Sequence, residues 1–293
     1  MVANDNRLLS REEEIIPLKK NHSYGVIPMR PKFKSTIRLA LTVGCAFLLA
    51  APVQAQTPIT RGLEYLQDSQ QAGGEWLGGP PANRSSVAVT GTVMEALRAL
   101  GEQGSTSFSA AADFMDAQNP TAAAGLSWKI IGQAAAGRPT QQARTALAAL
   151  QRVDGTWGQA GPTTATAIYP TALALRAFRA TGTEAPNELS ALRTLLRRQR
   201  ADGGFTRDGA AFSDIETTAQ VVELLRTISS EYIVEYFTNR CLDYLKASQN
   251  SDGGWGQGGS NTFDTAFAMY ALLSNGQTPN DSSGAINYLT NNQ

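Results

Sequence analysis

The segment LDYLKASQNSDGGW, residues 242–255, decides the fold, together with TAFAMYALL at 265–273. In the first segment Leu242 and Leu245 lie one helical turn apart, as on the buried face of an amphipathic helix. The Gly253-Gly254 pair suits the end of that helix, where a positive φ is needed. The second segment is a continuous apolar run. Together they predict a helical hairpin joined by a glycine turn that carries an aromatic residue.

The same pair of segments recurs along the chain, so the protein is predicted to be a repeat protein. The turn recurs at 63–76, 146–157, 192–205 and 242–255, and its aromatic residues are 81, 48 and 50 positions apart. The apolar segments that follow begin with threonines spaced by 81, 47 and 47 positions. The threonines are Thr90, Thr171, Thr218 and Thr265, and the glutamine–aromatic pairs are Gln70 and Trp76, Gln151 and Trp157, Gln199 and Phe205, and Gln249 and Trp255.

The wide first gap predicts a degenerate repeat over 109–136 that has lost its glycine turn, and 284–293 reads as a terminal half-copy. Within each hairpin the first helix carries arginine and lysine, whereas the second is apolar on most sides. No segment shows sustained period-two alternation of β-branched residues. The sequence therefore predicts an all-α protein of about five to six hairpins, arranged as an outer polar ring around an inner apolar one.

The N-terminal 55 residues are predicted to lie outside the repeat domain. Four basic residues follow Met29, then thirteen apolar or small residues at 39–51, then a small residue at Ala55. This order is typical of a secretory signal peptide over 29–55 that is cleaved after Ala55, and it predicts a secreted or periplasmic repeat domain over 56–293. An uncleaved membrane anchor is the alternative. Residues 1–28 are either a mis-called start or a cytoplasmic extension.

Composition excludes several classes of function. Formal net charge is zero and no polybasic stretch occurs, so no nucleic-acid partner is expected. The single histidine, His22, precedes the predicted signal, and Cys241 is the one cysteine after it. No disulfide, no metal site, no cofactor and no serine or cysteine nucleophile with a histidine base is therefore expected in the mature chain.

The repeats resemble those of the squalene–hopene cyclase and protein prenyltransferase β-subunit superfamily, from Thr60 onward. The resemblance rests on Leu-x-x-x-Gln-x-x-Asp-Gly-Gly-Trp followed by Asp-Thr-Ala. It implies an α/α toroid, a double ring of helical hairpins, in which the glutamines and aromatics of the turns hold neighbouring hairpins together. Prenyltransferases of this group hold zinc with Asp, Cys and His, a set that the mature chain lacks.

Class II terpene cyclases of the same group protonate an alkene with the third residue of Asp-x-Asp-Asp before Thr-Ala. Here the corresponding stretch, 214–219, reads Asp-Ile-Glu-Thr-Thr-Ala, so the resemblance places Asp214 and Glu216 as the candidate catalytic residues. The alternative is that Asp214 caps a helix and Glu216 favours its dipole. Asp264, before the next Thr-Ala, supports this alternative. Tyr169, Phe263 and Tyr270 are expected to line an apolar central cavity.

Two hypotheses about function follow. The first is an exported, non-catalytic protein whose cavity binds an apolar small molecule, an isoprenoid or a lipid, or whose rim binds an exported protein partner. The second is a reduced class II terpene cyclase or isomerase that uses Glu216 with Asp214. No stable transmembrane domain is expected after signal cleavage.

Overall fold

A computed structural model describes residues 57–78, 86–158, 168–207, 210–228 and 232–292. The predicted extension at 1–28 and signal peptide at 29–55 lie outside these residues. Within them the chain forms helices and no β-strand. The helices are α1 (Pro58–Ser69), α2 (Ser86–Ala99), α3 (Thr106–Ala117), α4 (Ala123–Ala135), α5 (Gln141–Ala149), α6 (Ile168–Ala180), α7 (Glu188–Leu196), α8 (Ile215–Arg226), α9 (Tyr232–Ala247), α10 (Thr262–Ser274) and α11 (Ser282–Asn291).

The even-numbered helices form the inner ring. Each packs against the next, from α2 through α4, α6 and α8 to α10, and each odd-numbered helix between α3 and α11 packs on the outside of an even one. Burial follows this order, because eleven of the 12 residues of α8 are buried whereas α5, an outer helix, buries two. The predicted all-α double ring is confirmed, and no helix of the described residues is long and apolar enough to span a bilayer.

The glutamine of each repeated turn joins neighbouring outer helices. The side-chain amide of Gln249 donates to the carbonyl oxygens of Gly253 and Asp281, both at 2.8 Å. The first of these closes its own turn, and the second lies at the start of α11, the next outer helix. Gln70 and Gln199 repeat this double donation to their own turn and to the next outer helix, and Gln151 donates to its own turn and to Pro186, just before the next outer helix. The glutamine therefore fixes the spacing of the outer ring.

The glycine of the turn is required by a close backbone approach. Gly253 has a φ of 85°, and a Cβ atom there would lie 2.2 Å from the carbonyl carbon of Gly284 in α11. Both the dihedral angle and the space exclude a larger residue. The turn can dock on the next outer helix only because it has no side chain at this point.

The aromatic residue and the recurring threonine hold the two helices of one hairpin together. The Trp157 indole N–H donates to the carbonyl oxygen of Leu147 in α5 at 2.7 Å, and its backbone N–H donates to Thr171 Oγ1 in α6 at 3.0 Å. The backbone bond to threonine recurs in the other three turns. Each threonine that the sequence marks by its spacing is thus the acceptor for a buried backbone N–H.

Replacing Thr171 by valine is expected to destabilise the fold by about 1–2 kcal/mol, because it keeps the shape but leaves the Trp157 N–H buried without an acceptor. Urea unfolding followed by circular dichroism measures the difference. Thr171→Ser, which keeps the hydroxyl, is the control and should lose less. Equal losses in the two variants would show that the hydroxyl does not matter.

The predicted degenerate repeat corresponds to α3 and α4. Residues 118–122 join these helices directly, without the glycine–aromatic turn. The predicted half-copy corresponds to α11, whose N-cap is Asp281.

Candidate functional site

Asp214 is the N-cap residue of α8. Its Oδ1 accepts hydrogen bonds from the backbone N–H of Thr217 at 2.7 Å and from the Thr217 hydroxyl at 2.5 Å. Its own backbone N–H donates to the carbonyl oxygen of Phe205 at 2.7 Å, which ties the start of α8 to the preceding turn. The carboxylate thus satisfies groups at the helix end, as the capping alternative predicts.

Asp264 does not occupy the place in its repeat that Asp214 occupies at the start of α8, contrary to expectation. The N-cap of α10 is Asn261, whose Oδ1 accepts from the backbone N–H of Asp264 at 2.8 Å. Asn261 therefore holds the place of Asp214, and Asp264 holds the place of Thr217. The two acidic residues are not equivalent, because Asp264 lies in the first turn of its helix rather than at the cap.

Glu216, the candidate proton donor, is buried in an ion pair. Its side chain is 2% exposed, and Oε2 accepts from the guanidinium of Arg207. Arg207 also lies over the ring of Tyr169, with its Cζ 4.3 Å from the ring centroid. Burial lowers the pKa of Arg207, but the charges of Glu216, Tyr169 and Asp214 and the hydrogen bond to Glu216 together raise that pKa above its ordinary value. Burial, and after it the charge of Glu216, raises the pKa of Tyr169 above its usual range.

These contacts define what the group can do chemically. A general acid must carry its proton before the reaction, and protonation of an isolated alkene needs an unusually strong acid. Here the Glu216 carboxyl group is instead paired with the guanidinium of Arg207. The Arg207 guanidinium thus contacts both the Glu216 carboxyl group and the face of the Tyr169 ring.

A second polar cluster crosses the centre of the ring. Arg176 of α6 donates to Glu95 Oε1 of α2 at 2.7 Å and to the side-chain oxygen of Gln220 of α8. The Arg176 Cζ lies 5.8 Å from the centroid of the Trp128 ring of α4. Since α4 separates α2 from α6 along the ring, the Glu95–Arg176 pair spans the interior.

The cluster continues to α10. Arg226 donates to Glu223 Oε2 through Nη2 at 2.8 Å, and the Ser274 hydroxyl donates to Glu223 Oε1 at 2.7 Å. Burial, and after it the charge of Glu223, raises the pKa of Tyr270, so this phenol faces the same cluster. Tyr270 is nevertheless 49% exposed, so solvent reaches this edge of the cluster beside α10.

The three residues expected to line a cavity occupy different environments. Tyr169 is buried beside Glu216, Tyr270 is half-exposed, and Phe263 packs on Phe267 with ring centroids 4.6 Å apart.

Sequence reasoning missed the charged side chains of the interior. A usable signal was present in α8, since Glu216, Gln220 and Glu223 follow the i, i+4, i+7 spacing of one helix face. Polar residues on a face that should be buried indicate a functional or structural cluster.

Cys241 is fully buried in α9, and its sulfur accepts from Gln199 Nε2 at 3.3 Å. Burial raises the pKa of its thiol to about 12. The described residues contain no group of histidine, cysteine and acidic side chains that could hold a metal ion.

The buried thiol of Cys241 is expected to be inert. A raised pKa leaves little thiolate at pH 8, so an aromatic disulfide reagent should react at least about 100-fold more slowly with the folded protein than in 8 M urea. A Cys45→Ser variant makes Cys241 the sole thiol, and absorbance reports the reaction. Similar rates in buffer and urea would contradict the burial of this side chain.

Comparison with known proteins gives consistent matches. Residues 171–293 match the squalene-hopene cyclase C-terminal domain. The type II terpene cyclase MstE from Scytonema superposes with a TM-score of 0.60 at 20% identity, over 80% of this chain and 79% of that chain. An ent-copalyl diphosphate synthase from Streptomyces platensis superposes with a TM-score of 0.60 at 19% identity, over 82% of this chain and 50% of that chain. No curated protein matches the sequence. At these identities the structures show a shared fold alone.

Proposed function

We propose that the chain is an exported, non-catalytic toroid that binds an amphiphilic small molecule at its ring centre. The match of residues 171–293 to the squalene-hopene cyclase C-terminal domain and the fold shared with a terpene cyclase support the toroid scaffold. The observation that carries this proposal is the contact between Glu216 and Arg207. Glu216, which stands in the register of the cyclase proton donor, is paired with the guanidinium of Arg207. Asp214 accepts a hydrogen bond as the N-cap of α8. The toroid scaffold is therefore retained, while the carboxyl group in the proton-donor position is held in an ion pair.

The ring centre supports the choice of ligand. Phe263 and Phe267 form a partly exposed aromatic pair on the same face of α10 as Tyr270. Near Tyr270 lie the charged pairs that join Glu95 to Arg176 and Glu223 to Arg226. An apolar surface beside a polar floor suits a ligand with an isoprenoid or lipid tail and a polar end.

Binding can be tested with a matched pair of tyrosines. Tyr270 on the inner ring and Tyr236 on the outer helix α9 are 49% and 51% exposed. Farnesol and a fluorescent fatty acid serve as probes, with binding followed by titration. Tyr270→Ala is expected to weaken binding at least about fivefold, and Tyr236→Ala to leave it unchanged. Equal effects, or no binding by the native protein, would contradict a ring-centre site.

Catalysis is the second candidate function, favoured by the register of Asp214 and Glu216 and by the fold shared with terpene cyclases. Incubation with squalene and with shorter polyprenyl diphosphates, followed by gas chromatography and mass spectrometry, separates the two. We expect no cyclised product from the native protein. A product that disappears in Glu216→Gln would replace the binding proposal by a cyclase or isomerase.

Export is part of the proposal and has its own test. A signal peptide at 29–55 predicts a mature protein that begins at Gln56 and accumulates outside the cytoplasm. N-terminal sequencing of the fractionated protein measures this directly. A chain that still begins upstream of residue 56 and remains with the membrane would favour the uncleaved anchor. Affinity capture from the same fraction tests for an exported protein partner at the rim.

A further inference from the structure

The degenerate second repeat leaves a cavity where the other repeats place their turn. The cavity measures about 290 Å³ and lies between the end of α3, the outward side of α4 and the start of α5. The equivalent space one repeat later is bounded by α5, α6 and α7. Trp157 and its glycine turn lie in that space. The space between α3 and α5 thus corresponds to the spaces in the other repeats, but it contains no glycine–aromatic turn.

The missing element is an indole. In three turns the tryptophan N–H donates to a carbonyl oxygen of its own outer helix, at 2.6 to 2.7 Å. The corresponding stretch after α3, Asn119-Pro120-Thr121-Ala122, contains neither glycine nor aromatic residue. The walls of the cavity include apolar groups of Pro120, Leu126 and Ala143.

One residue of the cavity lining carries a buried polar atom without a partner. Gln133 of α4 is 6% exposed, and its Nε2 donates to Asp116 Oδ1 at 2.8 Å. This bond fixes the amide orientation, and it leaves Oε1 buried without a hydrogen-bond donor among the described residues. Nearby, Lys129 donates to the carbonyl oxygens of Asp116 and Gln118. A buried acceptor without a donor is costly, so this oxygen favours a ligand that brings an N–H or O–H group.

We propose that this cavity is a second binding site, separate from the ring centre, and that it takes an indole group whose N–H donates to Gln133 Oε1. The volume lies at the lower end for ligand pockets and suits one fused ring system rather than a lipid. An indole has a flat apolar body for the apolar part of the lining and one N–H donor for the buried acceptor of Gln133. The indole can come from a free small molecule or from a tryptophan side chain on a peptide.

The test uses the full chain labelled with ¹⁵N, titrated with indole and with 1-methylindole while the Gln133 side-chain amide is followed by NMR. Indole is expected to bind with a dissociation constant on the order of 0.1–1 mM. 1-Methylindole has the same ring without the N–H and is expected to bind at least about fivefold more weakly. Equal affinities for the two compounds, or no shift of the Gln133 amide, would overturn the proposal.

A pair of variants on one helix checks the location. Ala146 is an exposed residue of α5 on the cavity wall, and Ala149 is an exposed residue of the same helix outside that wall. Ala146→Phe fills the cavity and is expected to abolish indole binding, whereas Ala149→Phe retains it. Both positions are at the surface, so both variants are expected to fold. Retained binding in Ala146→Phe would place the indole elsewhere and overturn the assignment.

The source of the indole is distinguished by competition. A peptide with the sequence SQNSDGGWG, residues 248–256, offers a tryptophan within the turn that the other repeats use. Displacement of indole by this peptide at lower concentrations than free indole supports a protein segment as the natural occupant. Binding of indole alone supports a small molecule. Binding of neither overturns the site, and none of these outcomes depends on the ring-centre ligand.

Discussion

Replacing Trp157 by alanine is expected to lower the free energy of unfolding by about 3–5 kcal/mol, the largest effect of any single change considered for this chain. The side chain is fully buried and packs near Phe178, with ring centroids 6.2 Å apart. It also caps the carbonyl oxygen of Leu147 near the end of α5. The change therefore removes a large apolar contact and a hydrogen bond at the same point between α5 and α6.

The control for this prediction is present in the chain itself. Phe205 occupies the same place in the next turn, fully buried, and keeps the backbone bond to Thr218 without an indole N–H. Trp157→Phe should therefore cost much less, about 1–2 kcal/mol, for the lost hydrogen bond and part of the ring. Urea unfolding with a common slope for all three proteins gives the values. A loss in Trp157→Phe as large as in Trp157→Ala would show that the hydrogen bond, not the packing, dominates.

The turns could be predicted from sequence because their parts are close together in the chain. Gln249, Gly253 and Trp255 lie within seven positions, and the same set recurs at a nearly constant period. The period also predicts that equivalent helices become neighbours, which is enough to define two concentric rings. The role of the threonines was harder to see, since Thr171 follows Trp157 by 14 residues while Thr265 follows Trp255 by ten. The intervening loop varies in length, but the bond does not.

The interior could not be predicted in the same way. Arg176 pairs with Glu95, 81 residues earlier, across a ring whose curvature no local pattern specifies. Arg207 lies in a loop between two helices, outside any helical period, so its contact with Glu216 was not foreseeable from spacing. The resemblance to terpene cyclases aligns Glu216 with the proton-donor position of their motif, but it does not predict which side chains surround the carboxyl group. Chemistry at this site depends on that neighbour.

Removing the guanidinium from the Arg207–Glu216 pair is expected to have the second large effect on the free energy of unfolding. Arg207→Met is expected to lower the free energy of unfolding by about 3 kcal/mol, because it leaves the carboxylate of Glu216 buried without its counter-charge. Tyr169 would also lose the cation over its ring. Thermal or urea unfolding at pH 7 measures the change. Arg193, an exposed arginine of the outer helix α7, provides the control, and Arg193→Met should change stability by less than about 0.5 kcal/mol.

The double variant decides between the pair and the arginine alone. If the cost arises from a stranded carboxylate, then Glu216→Gln in the Arg207→Met background should restore at least about half of the lost stability, since a neutral amide has no charge to compensate. If the arginine acts through its own packing on Tyr169, the double variant should be no more stable than Arg207→Met. The single variant Arg207→Met, which keeps the Glu216 carboxyl group, bears on function. A protein that gains no cyclase activity when the guanidinium is removed from Glu216 lacks the acid for reasons beyond this single contact, since Thr217 stands where the cyclase motif carries its last aspartate and bonds to Asp214 instead.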